Sequence, residues 1–145
     1  MTPSLIIAGI ELSIVAMLDF SQQIEIIGGS NTRRMASGAA FKLGHWRRHR
    51  ITLSGSGWVP APLNAIDYDA PFEIELPHAV AFRVGEALPA GWAQRAAPWG
   101  EHTVTDQAGV AVRYIYPKMT VISDGPRQTN GNDASPSWEL TCEVA

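Results

Sequence analysis

Residues 138–144 read Trp-Glu-Leu-Thr-Cys-Glu-Val, and every second side chain is apolar: Trp138, Leu140, Cys142 and Val144 alternate with Glu139, Thr141 and Glu143. A period of two is the pleat of a strand with one face buried and the other in water. The same pattern recurs along the chain. Val110, Val112, Tyr114 and Tyr116 repeat it, as do Phe72, Ile74 and Leu76 against Glu73 and Glu75. Val80, Phe82 and Val84 form a short run of the same kind, and His49, Ile51 and Leu53 alternate with Arg48, Arg50 and Thr52. Near the start, Ile10, Leu12, Ile14, Ala16, Leu18 and Phe20 alternate, followed by Ile24 and Ile26, which predicts a bent strand or a pair of strands.

Between these runs stand residues that break strands. Gly28-Gly29-Ser30-Asn31 predicts a turn, because glycine supplies positive φ without steric cost. Ser54-Gly55-Ser56-Gly57 with Pro60 and Pro62 predicts another break, Leu63 to Tyr68 one helical turn, and Pro77-His78 a turn or kink. Residues 85–109 are rich in Gly and Pro and predict a long irregular loop anchored by Trp92 and Trp99; residues 123–136 predict a polar loop. No window of about eleven residues carries a helical period. The expectation is one all-β domain over 1–145: an antiparallel β-sandwich or partly open β-barrel of about eight short strands, with long loops and little helix.

Composition narrows the function. A 145-residue chain that is 46% hydrophobic and 17% charged can bury a core without disulfides or metals, and it has one cysteine, Cys142, so it forms no internal disulfide. That usage fits synthesis in a reducing cytoplasm. The apolar stretch Leu5 to Leu18 contains Glu11 and Gly9 and has no basic leader, so neither a membrane span nor a signal peptide is expected. The net charge is −3, which argues against nucleic acid as a partner. The charges are segregated: all six basic groups of residues 1–50 lie between Arg33 and Arg50, while residues 51–145 carry eleven acidic groups against five basic. Copies or partners meeting basic face to acidic face would use this for docking.

The motifs for chemistry are incomplete. His45 and His49 have the spacing of two zinc ligands on a helix, but Trp46 stands where a general-base Glu belongs, and on a strand the pair would sit about 13 Å apart. Neither Ser54 nor Ser56 has the flanking glycines of a nucleophile elbow, and no P-loop occurs. Asp67 and Asp69, with Glu73 and Glu75, form an alternating acidic strip whose ordinary reading is a solvated strand face and whose special one is a calcium site. No catalytic residue, cofactor or metal site is assigned. The densest feature is Arg33-Arg34 together with Arg47-Arg48-His49-Arg50 around Trp46, residue types favoured at subunit interfaces. The same residues on a β-surface are also the makings of a single-strand nucleic-acid binder, the weaker expectation.

The stretch Gln23 to Tyr68 resembles small virion structural proteins of tailed bacteriophages, those of the tail and its tip. The likeness is carried by Ile27-Gly28-Gly29, Thr32-Arg33-Arg34-Met35, Ser37-Gly38, the run His45 to Pro60, and Leu63 to Tyr68, with Ser137-Trp138-Glu139-Leu140 of similar character. What the resemblance implies is a non-enzymatic tail or baseplate subunit, made in the host cytoplasm and built into the virion tail. Its expected partners are copies of itself and other tail proteins. The expected contact residues are Arg33, Arg34, Trp46, Arg47, Arg48, Arg50, Trp58, Trp92 and Trp99. Two alternatives stand beside it: a carbohydrate- or ligand-binding β-sandwich using Trp92 or Trp99 as a platform, and a head–tail joining or tail-completion protein.

Overall fold

The computed structural model describes residues 3–12, 19–96, 98–100, 102–105, 107–131 and 135–145. Eleven strands are found there: β1 (Ile6–Ile7), β2 (Ile10–Glu11), β3 (Ser21–Arg34), β4 (Ala40–Ser56), β5 (Phe72–Glu75), β6 (Val80–Arg83), β7 (Trp92–Gln94), β8 (His102–Thr105), β9 (Ala111–Ile115), β10 (Pro117–Asn130) and β11 (Pro136–Val144). Every pairing is antiparallel. The main sheet runs β2-β1-β5-β10-β11-β4-β3 with β7 added on β10, and a smaller sheet runs β6-β9-β8. Both are open at their edges, so the fold is all-β and sandwich-like rather than a closed barrel.

Alternation decides which face of the main sheet is wet. Ile51 and Leu53 of β4, Ile74 of β5, Met119 and Val121 of β10, and Trp138, Leu140 and Cys142 of β11 point to one side and are at most 1% exposed. Leu5, Ile7, Leu63 and Leu76 complete this core. At about 25 cal/mol per Å² of apolar surface, one such side chain contributes about 1.5–3 kcal/mol. The core face is closed by neighbouring loops. Phe20 packs on both His78 and Trp138, while Gln22 Nε2 donates to the His78 carbonyl and the His78 N–H to Gln22 Oε1, each at 3.3 Å. A single 3₁₀ turn at Ala61–Ala65 places Leu63 into the core.

Arg95 is the one buried charge among the described residues, 4% exposed. Its Nη1 donates to the carbonyls of Ser4 at 2.8 Å and Leu76 at 3.0 Å, and Glu75 lies 3.9 Å from Nε. One guanidinium thus ties the N-terminal segment to the end of β5.

Several expected breaks are strand instead. Gly28 to Asn31 lies inside β3, where the ladder shifts register between Gly28 and Ser30. The actual turn comes later: Met35 N–H donates to the Ala39 carbonyl and Gly38 takes φ +87°. Ser54-Gly55-Ser56 continues β4 and only Gly57, at φ +91°, ends it. Residues 85–109 hold β7 and β8, and β10 runs on to Asn130 through the segment read as loop. In each case cross-strand pairing overrode the local turn chemistry. Of the early alternating run, Ile14, Ala16 and Leu18 lie outside the described residues.

Candidate assembly interface

Strands β3 and β4 are 14 and 17 residues long, more than twice the common strand length. β4 pairs with β11 only from Arg50 to Ser56. Beyond Arg50, among the described residues, the two strands pair only with each other, so residues 26–49 form a two-stranded arm extending the sheet along its strand axis. At about 3.3 Å per residue it reaches some 30 Å beyond the body.

The arm's base is fixed on the wet face of the sheet. Glu25, Arg50 and Glu143 are lateral neighbours on β3, β4 and β11. Arg50 Nη1 lies 3.3 Å from Glu25 and Nη2 3.1 Å from Glu143, and these two carboxylates hold the guanidinium above its ordinary pKa. Behind the base, His49 packs edge-on against Trp92 with ring centroids 5.0 Å apart; partial burial lowers its pKa.

Midway along, a bulge re-aims one side chain. Gly28 pairs with Arg47 and Ser30 with Gly44, so Gly29 alone faces both His45 and Trp46. Side chains at Gly28 and Gly29 would run into the Trp46 carbonyl and the Trp46 indole respectively, which explains the glycine pair. Trp46 lies across this gap and remains 55% exposed. The His45 side chain lies outside the described residues.

Past the bulge, Asn31 pairs with Leu43 and Arg33 with Phe41. Cross-strand partners share a face, so Leu43 and Phe41 stand with Arg33 on one side, and Lys42 with Arg34 fall on the other. Ile26, Met35, Phe41, Leu43 and Trp46 are all 40% or more exposed. From Asn31 to His49 there are five cations, Arg33, Arg34, Lys42, Arg47 and Arg48, and no carboxylate. Among the described residues no intrachain ion pair engages any of them.

The expected contact residues therefore divide. Arg33, Arg34, Trp46, Arg47 and Arg48 come together on the arm. Arg50 sits at its base, neutralised within the chain. Trp58 is 70% exposed but lies at the far end of β4. Trp92 is half-buried between His49 and Phe82, and Trp99, also half-buried, packs edge-on against Tyr116, so both rings take part in contacts within the chain. The composition reading passed over Ile26, Met35, Phe41 and Leu43. The absence of any acid between Asn31 and His49 was the available signal for this segment.

Among the described residues no group of three or more His, Cys, Asp or Glu could hold a metal ion. Asp67 Oδ1 accepts from the Asp69 N–H at 3.0 Å, the local turn expected of an Asx residue. No described helix is long and apolar enough to cross a membrane. Compared with protein-family models, with curated proteins and with solved structures, the chain matches none.

Proposed function

We propose that this chain is a non-enzymatic structural subunit of a bacteriophage tail or tail tip, built into the virion through contacts between subunits. The observation that carries the assembly role is the free-standing arm. A two-stranded ribbon with no sheet or helix behind it among the described residues is marginal in water, and this one displays Phe41, Leu43 and Trp46 among five cations. Exposed apolar side chains interleaved with Arg are the make-up of an interface core awaiting a partner. The resemblance of Gln23 to Tyr68 to tail proteins supplies the setting, and that stretch contains the whole arm.

Two measurements test this. Light scattering on the purified full chain should show concentration-dependent association, or co-assembly with tail proteins where the chain alone stays monomeric. Mass spectrometry of intact virions should find the chain at several copies per particle. Its absence from virions would sink the phage reading. Strict monomeric behaviour with no binding to virion proteins at low salt would sink the assembly role altogether.

A further inference from the structure

The wet face of the main sheet carries a second feature of the right chemistry for the arm. Where β10 passes beyond the end of β5, its ladder with β11 shifts register between Ser123 and Pro126, and Gly125 takes φ +109° with the Tyr68 ring packed against it. This bulge opens a groove of about 510 Å³. Ile122, 46% exposed, and Tyr68 give it apolar surface. Asp69, Asp124, Glu139 and Glu143 line it against a single cation, Arg127. Glu143 is already paired to Arg50, which leaves three carboxylates against the one charge of Arg127.

We infer that the arm of one copy of this chain docks on this groove of the next copy through the face that carries Arg33, Arg48, Phe41, Leu43 and the Trp46 indole, with Arg33 and Arg48 meeting Asp69, Asp124 or Glu139, and Trp46, Phe41 or Leu43 covering Ile122 and Tyr68. This deepens the assembly role proposed above and rests on it. A second copy is the occupant because the two surfaces match in charge and in apolar content, and both belong to one chain. The arm does not reach its own groove, since it continues the strand direction outward from Arg50 and Glu143, whereas the groove lies back on the body over residues 122–127 and 139–143. Arm into groove joins two different patches, so the contact is head-to-tail. Such contacts close into rings or propagate as filaments. Arginine forks on carboxylates give the contact orientation as well as attraction.

A charge-swap experiment on the full chain tests it. One variant carries R33E and R48E, the other D124K and E139K; Arg33, Arg48 and Asp124 are exposed and Glu139 is half-buried on the wet face, and circular dichroism and melting temperature verify each fold. Self-association of either variant alone should weaken at least tenfold by analytical ultracentrifugation, and a one-to-one mixture should restore it. Unaltered association of both variants would overturn the docking site while leaving the assembly role standing. A wild-type chain that never associates and is missing from virions would remove both. A zero-length carbodiimide cross-link on an Arg33→Lys chain gives a second check that keeps the charge of the docking face. Oligomeric species should contain position 33 joined to Asp69, Asp124 or Glu139. Joining to other carboxylates alone would overturn the inference, as would an arm whose R33E/R48E variant loses oligonucleotide binding while keeping its self-association.

Discussion

Trp138 and Gly55 show how much one residue pair fixes. They are direct partners across β11 and β4, and a Cβ built on Gly55 would lie 2.7 Å from Trp138 Nε1. The glycine is therefore a space holder for a fully buried indole. Gly55→Ala should destabilise the fold by about 1–3 kcal/mol, read as a lower urea midpoint, because overpacking at a filled core site forces its neighbours off their rotamers. Arg95→Met should cost about 2–4 kcal/mol: it strands the Ser4 and Leu76 carbonyls, and thermal melting would show the loss. Cys142 gives a pH dependence with a definite sign. Burial pushes its thiol from 9.0 up to about 12. Between those values the unfolded chain releases the proton and the folded chain keeps it, so stability is full below about pH 9 and falls as pH rises toward 12. Burial also raises the Tyr68 hydroxyl, which acts in the same direction. Cys142→Ala should flatten the slope of melting temperature against pH in that window, whatever it does to stability at neutral pH.

At the scale of the element, the arm and the body differ in what backs them. The central body strands β5, β10, β11 and the C-terminal half of β4 have a buried face and neighbours on both sides, while the arm beyond His49 has one ladder and exposed side chains on both faces. Local opening follows such differences. In the unassembled protein, trypsin should cut first after Arg33, Arg34, Arg47 or Arg48, with the body left intact, and assembly should protect those sites; mass spectrometry of the early fragments decides it. First cuts after Arg83 or Arg113 would show the smaller sheet to be the weaker element. The sequence forecast strands in this region but also a turn at Gly28 to Asn31. Glycines there serve a bulge under Trp46, a use that depends on which strand lies opposite and is invisible to a local reading.

At the scale of the whole molecule, the two sheets are joined by chain and by side-chain packing. β9 passes through Tyr116 into β10, Ile115 is buried at the junction, and Phe82 of β6 packs edge-on against Trp92, which itself lies on the core. Equilibrium unfolding followed by tryptophan fluorescence and by far-ultraviolet circular dichroism should give coincident transitions, with amide exchange in residues 31–46 running ahead of both. Separate transitions would mean that the β6-β9-β8 sheet unfolds on its own.

The sequence by itself determined the fold class and the buried faces of β5, β11 and the body half of β4, because alternation is a property of each strand alone. In β9 the expected face of Val110, Val112 and Tyr114 is instead largely open and Ile115 is the buried residue, and Ile26 is exposed. The sequence also marked Arg33, Arg34, Trp46, Arg47 and Arg48, since a run of cations without acids needs no partner to be seen. Only the tertiary structure decided that these residues stand on a free arm, that Trp92 and Trp99 take part in contacts within the chain, and that Tyr68, Ile122, Asp124 and Glu139 line one groove. Those facts depend on which strands become neighbours across long separations in the chain, and pairing of that kind is set by the packing of the whole core.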